Sequence, residues 1–141
     1  MRKKAFTLVE LLIVVIILGI LAAVVIPQFS DASTEARDSS LATNLATIRG
    51  QIELYRLQHN GTYPAFTTFA NQMTQKTNAG GTVGTGAGYD FGPYMQRIPN
   101  NPFSNTNNVV NSGTEASTTA WHYTETTGAF KAFDSAAHSA L

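Results

Sequence analysis

The sequence predicts an α+β chain: a long N-terminal helix, with a membrane half and an amphipathic half, packed on a small antiparallel β-sheet head. Three observations carry that prediction. Residues 11–26 are an unbroken apolar run. Leu41, Leu45, Ile48, Ile52 and Tyr55 then recur at spacings of 4, 3, 4 and 3, which marks one stripe of a helix. Twelve of the fourteen aromatic side chains lie beyond position 54, enough for a compact core there. At 141 residues the chain is one domain's worth of sequence.

Charge comes first in chain order. Lys plus Arg and Asp plus Glu number 9 each, so there is no basic excess of the kind nucleic-acid binding requires. The balance is local, however. Arg2, Lys3 and Lys4 crowd the start, and without them the chain has six basic and nine acidic side chains, a net −3. There is no cysteine, which excludes disulfides, thiolate catalysis and cysteine-ligated zinc.

The apolar run spans about 24 Å as a helix, against a hydrocarbon core of about 30 Å. Extension back to Phe6 gives twenty-one residues but brings in Thr7 and Glu10. An acid costs about 2.5–3.5 kcal/mol at the centre of a membrane helix and less near its edge. No basic side chain lies in residues 5–36. The partner of Glu10 is therefore the upstream basic cluster, water, another molecule or a newly made amino terminus. The basic residues just before the run keep that end in the cytoplasm, so everything after about Gln28 is exported.

The second half of the helix carries the apolar stripe, with Arg49, Glu53 and Arg56 on its polar faces. Pro27 is expected to kink or loosen the helix without ending it, because the periodicity resumes. Asn60-Gly61 supplies the stop, so the helix is expected from about Phe6 to about His59. Phe66, Phe69, Ala70 and Met73 fit a short amphipathic helix. Residues 80–88 contain five glycines and read as a loop. Trp121 and Tyr123 alternate around His122 as in a strand, residues 124–128 make a turn, and Ala129 to Phe133 return.

Lys4-Ala5-Phe6-Thr7-Leu8-Val9-Glu10, followed by the apolar run, resembles the amino terminus of type IV pilins and of the pseudopilins of type II secretion. The resemblance implies a pilin-like fold and a leader, residues 1–5, cut between Ala5 and Phe6. It also implies N-methylation of Phe6 and a role for Glu10 in assembly. The family usually has glycine where Ala5 stands. Pro27 matches a proline near the end of the membrane segment. The implied division is leader 1–5, transmembrane and polymerisation helix 6–27, amphipathic helix 28–60 and periplasmic head 61–141. Glu53-Leu54-Tyr55-Arg56-Leu57 and Arg97-Ile98-Pro99-Asn100-Asn101-Pro102-Phe103-Ser104-Asn105 are similar to segments of the major (G-type) pseudopilin. There the family usually shows Asp, Trp and Gly at the positions of Asn101, Phe103 and Ser104.

Other sites are weaker. Major pseudopilins often bind calcium near the carboxyl end, but after Gly113 this chain has only Glu115, Glu125 and Asp134 as carboxylates. No calcium site or other cofactor is expected on that basis. His59, His122 and His138 do not have ligand spacing. Asp134, Ser135 and His138 suggest a catalytic set, but they lie in an Ala/Ser-rich tail with nothing evident to hold them. Asn60-Gly61-Thr62 fits a glycosylation sequon, a pattern common by chance.

The expectation is a structural protein, not an enzyme. It is a single-pass protein of the bacterial inner membrane with a cytoplasmic amino terminus. The resemblance implies that it polymerises into the helical pseudopilus filament that drives protein export. The implied partners are further copies, minor pseudopilins, a prepilin peptidase and an inner-membrane assembly platform, with no nucleic acid. Two alternatives remain: a surface type IV pilin for adhesion, motility or DNA uptake, and an exported membrane-anchored binding module that never polymerises. A plain secretory signal peptide and an uncleaved anchor also fit the first thirty residues.

Overall fold

The structure is a computed structural model and describes residues 6–141. Helix α1 runs Leu8–Gln58, without interruption at Pro27. A 3-10 turn at Phe66–Thr68 leads into α2, Phe69–Thr74. Three strands follow: β1 (Val109–Val110), β2 (Trp121–Thr124) and β3 (Ala129–Ala132), and a 3-10 turn at His138–Ala140 closes the chain.

Contacts divide the chain into two units, one ending at Ala36 and one from Arg37 to Leu141. In the first, every described side chain is exposed, including the whole apolar run. The second has its own core. The stripe expected on α1 is its buried face: Leu41, Leu45, Ile48, Ile52 and Tyr55 are all buried. Removing such a side chain from water contributes about 1.5–3 kcal/mol, so the stripe is what fixes this half of the helix to the head. Phe69, Met73, Trp121, Tyr123 and Phe130 complete the core. The Phe69 ring lies 4.4 Å from Tyr123, and Trp121 lies 5.4 Å from Phe130.

Helix α1 ends where Asn60 and Gly61 take positive φ, 55° and 83°. Gly61 N–H then donates to the Arg56 carbonyl at 2.9 Å, which satisfies one of the open carbonyls of the last turn.

The sheet has the order β1-β2-β3 and is mixed, which corrects the expectation of a wholly antiparallel sheet. Strands β2 and β3 pair antiparallel, Trp121 with Ala132 through Thr124 with Ala129, as the hairpin pattern indicates. Strand β1 runs parallel to β2, with Val109 opposite Trp121. The two strands are joined by residues 111–120, not by a tight hairpin turn, and through that loop β2 re-enters beside β1 in the same direction. The expected helix over Phe66 to Met73 is also divided. Thr68, at φ −117° and ψ 8°, separates the 3-10 turn from α2.

Two large buried side chains find partners for their polar atoms across this core. Trp121 Nε1 donates to the Pro99 carbonyl at 2.9 Å, and the Tyr123 hydroxyl to the Pro64 carbonyl at 2.7 Å. Burial pushes the Tyr55 phenol up to about 12, with the neighbouring Tyr94 adding to the effect. The segment after α1 is strapped down by Tyr63. Its hydroxyl donates to Glu53 at 3.2 Å, and Arg56 sits 4.9 Å over its ring.

Candidate functional site

The candidate site is the start of α1. Ala5 and the rest of the expected leader lie outside the described residues. Phe6 is exposed, and from Leu8 onward the chain is helical. By length and composition α1 is able to cross a membrane, and none of its most apolar stretch is buried.

Glu10 lies in the first turn, where an anion is favoured by the partial positive charge of the helix N-terminus. Its Oε2 accepts from the backbone N–H of Thr7 and from the Thr7 hydroxyl, each at 2.8 Å. The Thr7 hydroxyl oxygen in turn accepts from the Glu10 N–H at 3.3 Å. This is a reciprocal capping box. It gives Glu10 a partner within its own chain, Thr7, beyond the partners expected from the sequence. The signal was present: Thr followed three residues later by Glu, just before an apolar run, is the sequence pattern of such a cap. Both bonds end on Oε2, so among the described residues Oε1 has no partner.

Pro27 sits inside α1. Having no N–H, it leaves the carbonyl one turn earlier, at Ala23, without its helical bond. Glu10 and Pro27 thus occupy one exposed apolar helix, with Phe6 just before its start, and the three are spread along the chain, not gathered into one pocket.

In the head, among the described residues, no three His, Asp or Glu side chains are gathered so as to hold a metal ion. Glu125 accepts from the Phe66 N–H at 2.8 Å, and Asp134 from Asn101 at 2.6 Å. His59 is buried and bonds the Tyr55 carbonyl and the Thr77 hydroxyl. Among the described residues, His122 Nδ1 is buried without a partner. Burial, followed by the Lys131 charge, holds the His122 ring below the usual histidine range, and the Asn111 backbone and Glu115 only partly offset this. Asp134 and His138 do meet, Oδ2 to Nδ1 at 2.5 Å, although the tail looked unable to hold them. What holds them is Asn101, which lies in a distant segment. Ser135 does not complete a catalytic set: its Oγ accepts from the His138 backbone N–H, and His138 Nε2 faces Asp38 instead.

Comparison with known proteins gives two family matches. Residues 1–26 match the prokaryotic N-terminal methylation motif, and residues 28–125 match type II secretion system (T2SS) protein G. The chain is 30% identical over 114 residues to the type II secretion system core protein G of Vibrio cholerae, covering 80% of this chain and 75% of that one. It is 27% identical over 112 residues to the core protein G of Klebsiella pneumoniae, covering 79% and 77%. It is also 37% identical over 71 residues to the type IV narrow pilus major component PilA5 of Thermus thermophilus, covering 50% and 61%. No solved structure matches the chain at a significant level.

Proposed function

The chain belongs to the type II secretion system protein G family, and from that premise we infer that it is a structural pseudopilus subunit, not an enzyme. In this reading a prepilin peptidase cuts between Ala5 and Phe6 and the new amino group is methylated. Copies then leave the inner membrane to form a helical periplasmic filament that drives protein export. Minor pseudopilins and an inner-membrane assembly platform are the further partners.

The observation that carries the reading is the protein G match over residues 28–125, directly after the methylation-motif match. The physics of the helix supports it. The apolar run is exposed on every side, so it requires lipid or like helices around it. Glu10 Oε1, which has no partner among the described residues, is available to the amino group of a neighbouring copy, whose reference pKa is about 7.7–8.0. That pairing would neutralise an acid held in apolar surroundings.

The test combines the mass of the mature amino terminus with an assembly assay of Glu10→Ala. The expected outcome is a chain beginning at methylated Phe6, with the variant inserted in the membrane but absent from filaments. A mature protein that keeps Met1, or Glu10→Ala filaments in normal number, overturns the reading.

The likeness to the Thermus pilus component favours a second reading, a surface pilin, over half of the chain. Neighbouring genes for a secretin and a secretion ATPase support export; a retraction motor supports the pilus.

A further inference from the structure

The segment after β3 has no part in the assembly reading, yet it is tied down with unusual care. Asp134 is nearly buried where the chain leaves β3. Its Oδ1 accepts from Asn101 Nδ2 at 2.6 Å, and its Oδ2 lies 2.5 Å from His138 Nδ1. An ionised carboxylate only accepts, so the imidazole carries its hydrogen at Nδ1. The ring is positioned further by Phe103, whose centroid lies 4.2 Å away. The other nitrogen, Nε2, then faces Asp38 of α1, 3.6 Å from its Oδ1. That distance is too long for a hydrogen bond. With a neutral ring it sets a lone pair against a carboxylate. A second proton, placed at Nε2, turns the same geometry into an ion pair.

We propose that the segment from Asp134 to Ala140 is a proton-responsive latch: protonation of His138 at Nε2 draws the ring to Asp38 and fastens the segment on α1. The charged surroundings support the sign. Asp134 and Asp38 face the ring from its two nitrogens. From α1, Arg49 reaches the same region, donating to the Phe130 carbonyl at 2.8 Å and to the Leu141 main-chain oxygen at 2.9 Å. Its cation opposes a second positive charge, but two carboxylates bracket the imidazole directly. The proline-rich segment contributes only the Phe103 ring and, through Asp134, the Asn101 amide. Lys131 of β3 acts on His122. Arg49 holds the segment at any pH; His138 adds a hold that comes with acid.

Hydrogen–deuterium exchange of the full chain in detergent micelles tests this at about pH 5.5 and about pH 8, either side of the ordinary histidine range. Rates are normalised for intrinsic pH dependence, and the core peptide over α2 serves as internal reference. In the unmodified protein, protection of residues 134–141 relative to that reference should rise about five-fold in acid, the upper end for a half-exposed ion pair. In Asp38→Asn the two conditions should give equal protection. Asp38 is half exposed, so this variant leaves the core intact. Equal protection at both pH values in the unmodified protein overturns the latch. So does an acid-dependent rise that survives unchanged in Asp38→Asn.

Discussion

Asn101→Asp is the most demanding perturbation of the head, because it changes one atom type at a fully buried position. Asn101 Nδ2 donates both to Asp134 Oδ1 at 2.6 Å and to the Ala120 carbonyl at 3.1 Å, while its Oδ1 accepts from the Phe103 N–H at 2.8 Å. The substitution keeps the acceptor and removes the donor. A hydrogen bond to a charged group contributes about 1.5–3 kcal/mol, and a buried acceptor left open costs about 1–3 kcal/mol. The variant also sets two carboxylates in contact, which cannot both ionise. Near neutral pH the loss should be about 3–5 kcal/mol. At about 4 °C per kcal/mol for a unit of this size, that lowers Tm by about 12–20 °C. The pair retains one proton to higher pH in the folded state than in the unfolded chain. The penalty therefore grows as pH rises from the ordinary aspartate range, about 3.9, to the raised value of the pair, and is smaller below. Thermal unfolding followed by circular dichroism, at about pH 4 and about pH 7.5, reads both quantities. A variant within about 1 kcal/mol of the parent at the higher pH, or equally destabilised at both, would refute the reasoning.

Two further substitutions probe other parts of the head. Gly128 has φ of 69°, and a Cβ there would run into the Tyr63 ring. Gly128→Ala combines backbone strain of about 1–2 kcal/mol with overpacking of about 1–3 kcal/mol, and should lower Tm by about 8–20 °C; Tyr63→Ala in the same chain should recover part of that loss. His122 has its folded-state pKa lowered by burial. Its neutral form is the one the fold favours, so stability is fully present above the unfolded value, about 6.5, and is lost as pH falls through it toward the folded value. Replacing it by Val should remove this loss and gain about 1 kcal/mol by deleting the unpartnered Nδ1. A Tm that still falls as steeply between pH 8 and pH 5, on the order of the parent's slope, would count against it.

What was legible in the sequence follows from which signals are local. The buried stripe of α1 from Leu41 to Tyr55 repeats at helical spacing, and the Asn60-Gly61 stop is written in two adjacent residues. The β2–β3 hairpin alternates around a short turn. Strand β1 was not legible, because two valines after an asparagine-rich stretch set no period and their parallel pairing depends on a partner beyond a long loop. Thr7 was legible but passed over, since the acid three residues later was read as a charge to be neutralised from outside rather than as half of a cap. The Asp134–His138 contact is the reverse case. Its two residues are neighbours in sequence, yet Asn101 and Asp38, which hold them, come from segments far away.

The sheet's two margins have a consequence for how the heads behave when copies crowd together. Crowded copies risk stitching together through open strand borders, a route to disordered aggregates. Here one border is only two residues long. At the other, the Phe130 carbonyl is already taken by Arg49. Neither margin offers an extended template, so the heads add little spurious stickiness.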